Sequence, residues 1–192
     1  MSKIRSPSGK GPSIWRTCRV LANRNRLTLY CLLAKNQPGT VTELADQAGL
    51  SVSLASNYLR QLNARGLLQA TRRRGHVEYH ILPDPAVPFA ADLTRALADA
   101  IRHEADPVTF IYRHATAFGH PRRQMILRAL AREGLNRQGL SRATGIPRMS
   151  LHTHLVKLKS RGYLSTKGNH LRLIPPRKPL PAVLLRWTLK GF

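Results

Sequence analysis

The feature that most constrains this chain is an internal repeat. The segment ANRNRLTLYCLLA at 22–34 aligns with GHPRRQMILRALA at 119–131. After a one-residue deletion, LADQAGLSVSLASNYLRQLNARGLLQ at 44–69 aligns with LSRATGIPRMSLHTHLVKLKSRGYLS at 140–165. Leu44, Gly49, Leu59, Leu62, Arg65, Gly66 and Leu68 find identical partners in Leu140, Gly145, Leu155, Leu158, Arg161, Gly162 and Leu164. The order, helical spacing and glycine positions recur together, so whatever one copy folds into, the other must approximate.

The first copy reads as a succession of short elements. Leu27, Leu29, Tyr30, Leu32 and Leu33 form an apolar helix face that ends at the turn Gln37-Pro38-Gly39. Thr40 and Glu43 have the spacing of a capping box, which predicts a short helix from Val41 to Ala48. Gly49 suits its left-handed exit. Ser51 is placed to cap a further helix over Val52–Ala64, whose inward face is Leu54, Ala55, Tyr58, Leu59 and Leu62. Beyond Gly66, strands at Leu67–Arg72 and Val77–Leu82 flank the basic turn Arg73-Arg74-Gly75-His76.

In the second copy Met125, Ile126, Leu127 and Leu130 supply the first apolar face, and Leu140–Thr144 the short helix. Pro147 fits the first turn of the next helix, with Leu151, Leu155 and Leu158 inward. Tyr163–Lys167 and His170–Ile174 make a tighter hairpin around Gly168-Asn169. Short helix, glycine turn, helix and basic hairpin is the winged helix-turn-helix order. The predicted fold is mainly α with small β-wings (α+β), in two tandem winged helix-turn-helix domains.

Charge indicates what such a scaffold would face. The chain carries 32 Lys+Arg against 9 Asp+Glu, a net +23. Residues 1–86 hold 13 bases and 4 acids, 87–117 hold 3 and 4, and 118–192 hold 16 and 1. Two basic blocks around a near-neutral connector suit a polyanion better than a uniformly solvated surface would. With no apolar run of about 18 residues and no secretory signal pattern at the N-terminus, the expected setting is cytoplasmic, at the nucleoid, without a membrane partner.

The candidate interface follows from the helix periodicity. The outward side of the first recognition helix carries Ser51, Ser53, Ser56, Asn57 and Arg60; Asn and Arg can read base edges, and Ser can meet a base or phosphate. Arg72, Arg73 and Arg74 on the first hairpin would neutralise phosphates or enter a minor groove. The second copy offers Arg148, Met149, His152, Thr153 and Lys157, with Lys167 on its hairpin. Since these sets differ, the two copies are not expected to read identical half-sites. The expected partner is double-stranded DNA.

The stretches VLANRNRLTLYCLLA, VTELADQAGLSVSLASNYLRQLNARGLL and RRRGHVEYHI resemble the arsenic-repressor (ArsR) family of winged-helix regulators, well over about 14–82 and more loosely over 118–174. The resemblance implies DNA binding by Ser51, Ser53, Ser56, Asn57 and Arg60. Members usually hold one unit and bind as homodimers, so the duplication implies a pseudo-dimer within one chain, with a homodimer of tandem chains as the alternative. The sensor sites of such relatives are not expected here. Leu44-Ala45-Asp46 stands where a Cys-x-Cys would be, and Pro107 interrupts the stretch between His103 and His114, which read as surface histidines of a linker. His152 and His154 are two apart on a helix and face different ways. No metal and no cofactor is expected.

Cys31 reads as a buried core residue. Cys18, flanked by Arg16 and Arg19, reads as a thiol of lowered pKa that favours thiolate chemistry, and a redox switch would run through the pair Cys18 and Cys31. Ser8-Gly9-Lys10-Gly11 lacks the flanking residues of a phosphate loop, and nine scattered acids offer little paired-carboxylate chemistry, so an enzyme is not expected.

The expected layout is a basic flexible arm at 1–12, a first winged domain at 13–86, a helical connector at 87–117, a second winged domain at 118–175 and a Pro-rich, then apolar tail at 176–192. In the connector, Ala90–His103 and Val108–Phe118 read as helices. Ala182–Leu189 reads as a short helix that either docks on the body or presents Trp187 and Phe192 to a partner. The leading function is a sequence-specific transcription regulator. The alternatives are a plasmid- or phage-type replication initiator and an architectural nucleic-acid-binding protein.

Overall fold

Residues 12–36, 38–73 and 75–192 are described by a computed structural model. The expected arm at 1–12 therefore lies almost wholly outside the described residues, as do Gln37 and Arg74. Among the described residues the first half of the chain runs α1 (Ile14–Leu21), α2 (Arg24–Lys35), β1 (Gly39–Thr40), α3 (Val41–Ala48), α4 (Val52–Asn63), β2 (Gln69–Arg73), β3 (His76–His80) and α5 (Ala90–His103). The second half runs α6 (Pro107–Phe118), α7 (Pro121–Arg132), α8 (Arg137–Thr144), α9 (Arg148–Ser160), β4 (Leu164–Lys167), β5 (His170–Leu173) and α10 (Pro179–Leu189). The fold is mostly helical with small antiparallel sheets.

Local chemistry accounts for the boundaries. The Thr40 hydroxyl accepts from the Glu43 N–H while the Glu43 carboxylate accepts from the Thr40 N–H at 3.0 Å, satisfying two otherwise unpaired donors at the start of α3. Asn136 does the first half of this for α8, accepting from the Gly139 N–H at 2.7 Å. The short helices end alike, at Gly49 with φ 64° and Gly145 with φ 68°. That left-handed turn strains any residue with a Cβ, which explains why both copies keep glycine there. Ser51 accepts from the Leu54 N–H to open α4. Pro147 stands one residue outside α9, as its N-cap, rather than in the first turn. Its fixed φ of −57° still suits the chain's entry, but it offers no side-chain acceptor, so α9 begins uncapped.

The hairpins also correspond. β1, β3 and β2 form one antiparallel sheet in that order, with Arg73 opposite His76 at its end. β4 and β5 form the second, closed by the Lys167–His170 pair around Gly168-Asn169. The Leu135–Leu171 bridge supplies there what β1 supplies in the first sheet.

α1 carries Ile14-Trp15-Arg16 and α6 carries Ile111-Tyr112-Arg113, and each is followed by a residue that caps the next helix: Asn23 for α2 and His120 for α7. α5 and α10 are likewise the helices that follow each hairpin. The stretch 87–117 holds α5 and nearly all of α6. α1 packs against α6 and α5 against α10, and one continuous apolar core includes residues from both halves.

The tail is part of that core. Trp187 is buried, stacked edge-on with Phe89 at 6.2 Å and with Phe192 at 5.3 Å, and its Nε1–H donates to Asp92 Oδ2 at 2.9 Å. Arg186 pairs with the same carboxylate at 2.6 Å, and Lys178 with Glu104 at 2.6 Å. Of the two readings of the tail, docking on the body is the one observed.

Candidate nucleic-acid interface

α3 and α4 pack on each other and on α2 through Leu44, Ala45, Ala55, Leu59 and Leu62. Burying that face turns the opposite side of α4 outward, where Ser51, Ser53, Asn57 and Arg60 are exposed and Ser56 is half-buried. Ser51 is already engaged as the cap of α4, so its free capacity is a hydroxyl proton and one lone pair. Asn57 Oδ1 accepts from Gln61 Nε2 at 3.2 Å, which holds its amide toward the C-terminal half of the helix. On the hairpin, Arg72 and Arg73 are exposed at the end of β2; Arg74 lies outside the described residues. The acids closest along the chain are Glu43 and Asp46 on α3 and Glu78 on β3.

In the second half Arg148, Met149, His152 and Thr153 are exposed on one stretch of α9, with Met149 retaining 84% of its surface. Lys157 sits apart from them. It is half-buried, and burial together with nearby Arg161 and Arg123 lowers its pKa. Lys167 is exposed at the tip of β4. A cleft of about 380 Å³ opens between the start of α8, α9 and the hairpin turn, lined by Asn136, Arg137, Arg148, His152 and Asn169 among others. Sequence reading missed Arg137 and Asn169. Their signal is positional: one follows the cap of α8, and the other occupies the hairpin turn.

Two titratable expectations are corrected. Cys18 is fully buried in the core, and desolvation raises its pKa despite the Coulombic pull of Arg123. Arg16 and Arg19 are neighbours in sequence but line an outward cleft on the helix, so burial decides the outcome. Cys31 is buried as expected, its thiol pushed up to about 11 chiefly by desolvation. His103 is exposed and paired with Asp99, but His114 is no surface linker residue. It is half-buried, in edge contact with Phe110, and its Nδ1 lies 2.6 Å from the Tyr163 hydroxyl. Burial lowers its pKa to about 4.

His152 and His154 do face different ways: the first is exposed, and the second is buried against His120 with ring centroids 4.5 Å apart. Burial and that neighbour lower the pKa of His120 to about 4. Among the described residues no three His, Cys, Asp or Glu side chains group to hold a metal ion, and no helix is long and apolar enough to cross a membrane.

Residues 23–70, from the cap of α2 into β2, match the family described as bacterial regulatory protein, arsR family. The match supports an ArsR-like winged helix-turn-helix for that part of the chain. It points to a regulatory DNA-binding protein and, on that ground, away from an enzyme. No curated protein matches the sequence significantly.

Proposed function

We propose that this chain is a sequence-specific double-stranded DNA-binding transcription regulator that carries two winged helix-turn-helix units as a built-in pseudo-dimer. The carrying observation is the run α2–α3–α4, which together with the first residues of β2 matches the arsR family over 23–70 and presents Ser53, Asn57 and Arg60 outward from α4. In this reading α4 enters a major groove, Asn57 and Arg60 address base edges, and Arg72, Arg73 and Arg74 follow the backbone. The second unit repeats the plan with Arg148, Met149, His152 and Thr153 on α9 and Lys167 on its wing, and Lys157 contributes at the helix flank.

Three features support a pseudo-dimer over two beads on a string. α1 packs on α6, α5 packs on α10, and the core is continuous across both halves. Equivalent elements meeting one another is the contact pattern of an isologous dimer. The unit boundary is then best drawn between His103 and Pro107, which gives α6 to the second unit. A homodimer of such chains would need a further interface. Differing side chains on α4 and α9 give the pair two unlike half-sites, so the operator need not be palindromic.

Binding to the DNA upstream of the gene, against random duplex and across a salt series, tests the reading. Tight binding that survives excess random competitor supports it. Equal and steeply salt-dependent affinity for both DNAs would replace it with backbone neutralisation alone, an architectural role to which the net +23 lends itself.

A further inference from the structure

Away from the outward face of α4, at the junction of α1, α2 and the far end of α4, lies a cleft of about 340 Å³ lined by Trp15, Arg16, Arg19, Val20, Arg26, Gln61 and Arg65. Four of these side chains are guanidinium groups and none is a carboxylate, and among the described residues none of the four takes part in an ion pair. Like charges held together in a concave site without counterions repel one another, and an anion relieves that repulsion. The Nε atoms of Arg26 and Arg65 are buried without an acceptor, as is that of Arg161 in the second half. Arg16 lies over the Trp15 ring at 5.2 Å, which fixes one guanidinium at the rim.

The equivalent place in the second half shows what is particular to this one. Arg16, Arg26 and Arg65 correspond to Arg113, Arg123 and Arg161. There Arg123 donates from Nε to the Ala117 carbonyl at 2.7 Å and from Nη2 to the Thr116 carbonyl at 2.8 Å, closing the end of α6. Arg26 is instead turned onto α4: its guanidinium lies over the Tyr58 ring at 5.3 Å and donates to Gln61 Oε1. Gln61 in turn donates to Asn57 Oδ1 at 3.2 Å. Lys157 replaces Gln61 in the second half and offers no acceptor, so this relay belongs to the first half alone.

We infer that the α1–α2–α4 cleft is a binding site for a multivalent oxyanion of the phosphate class, linked to base reading by Asn57 through Arg26 and Gln61. An anion that draws Arg26 off Gln61 frees the Gln61 carboxamide, and with it the amide of Asn57. The binding half stands on the cleft alone; the linkage half rests on the DNA-binding reading above. The phosphate is either part of a free small molecule or part of a DNA backbone flanking the site.

Calorimetric titration of the full chain with pyrophosphate at 150 mM salt tests the binding half without DNA. The expected result is one saturable site, weakened at least tenfold by Arg65→Gln and also by the exposed Arg19→Gln, while Arg132→Gln on α7 changes nothing. Unsaturable binding, or equal loss in all three variants, overturns the site. DNA affinity measured with and without saturating pyrophosphate then tests the linkage. Wild type is expected to shift at least threefold, and Gln61→Leu to bind pyrophosphate yet not shift. Pyrophosphate binding without any DNA effect in wild type overturns the linkage. Simple competition, undiminished in Gln61→Leu, overturns it too and assigns the cleft to DNA phosphate. Loss of specific DNA binding with pyrophosphate binding intact removes the regulator reading and leaves the site standing.

Discussion

Trp187 on the last helix donates its indole N–H to Asp92 on α5 at 2.9 Å, joining the closing helices of the two halves of the chain. Arg186 reaches the same carboxylate, and Phe89 packs on the indole. Truncating Trp187 to Ala removes a large buried ring and leaves the partly shielded Asp92 one donor short. Such changes cost about 3–5 kcal/mol. Chemical denaturation followed by circular dichroism is expected to show that loss with a single transition in both proteins. A wild-type curve with two separate transitions would mean that the halves fold independently.

In the proposed function, base reading by α4 and phosphate neutralisation by the wing would separate in their response to salt and sequence. Asn57→Ala and Arg60→Ala should each weaken binding to a cognate duplex by about 1–3 kcal/mol and relax the preference at particular base pairs. Arg72→Ala and Arg73→Ala should weaken binding to all duplexes alike and reduce the salt slope by about 0.9 for each phosphate left without its arginine. Fluorescence anisotropy over a salt series on matched and scrambled duplexes measures both.

The burial of Cys18 and Cys31 makes a chemical prediction. Both thiols have raised pKa values, so neither supplies a thiolate near neutral pH. A chromogenic disulfide reagent should react with fewer than one thiol per native chain over minutes and with two in denaturant. DNA binding should be indifferent to mild oxidant. Rapid labelling of one thiol in the native protein would restore the redox reading.

Protonation should destabilise the fold. The histidines of lowered pKa, His114 and His120 at about 4 together with His154, bind protons less readily folded than unfolded. Between the unfolded value near 6.5 and the folded value near 4 of His114 and His120, the unfolded chain holds more protons, so stability falls as pH falls through that window, and the lowered His154 acts in the same direction. Above pH 7 these groups are neutral in both states and contribute no slope. Thermal melts from pH 7.5 to 4.5 should show a falling Tm, and His114→Gln, which retains a polar partner for Tyr163, should flatten the fall.

Much of the helical plan was legible because its determinants are local. Thr40, Glu43 and Gly49 fix α3 by capping and a left-handed turn, and the helical spacing of Leu54, Ala55, Tyr58, Leu59 and Leu62 along α4 sets its inner face. The likeness of α1 to α6 was hidden because only Ile14-Trp15-Arg16 and Ile111-Tyr112-Arg113 resemble each other, while Cys18 and Ala115, or Leu21 and Phe118, differ where the helices meet the shared core. The pKa of Cys18 is not legible from Arg16 and Arg19, because the burial that overrides those neighbours is a property of the packed helices. The arginine cleft was invisible for a plainer reason: its members stand at 16, 19, 26 and 65, and only the packing of α1 and α2 on the end of α4 assembles them. Exposure of Asn57, Arg60, Arg148 and His152 follows from helix phase.

Selection of bound duplexes from a random-sequence library by the full 192-residue chain, with the stoichiometry of the selected complex measured alongside, tests the central claim most directly. The account predicts enrichment of a site with two unlike halves, occupied by one chain. A library that fails to enrich, or a perfect inverted repeat holding two chains, would contradict it.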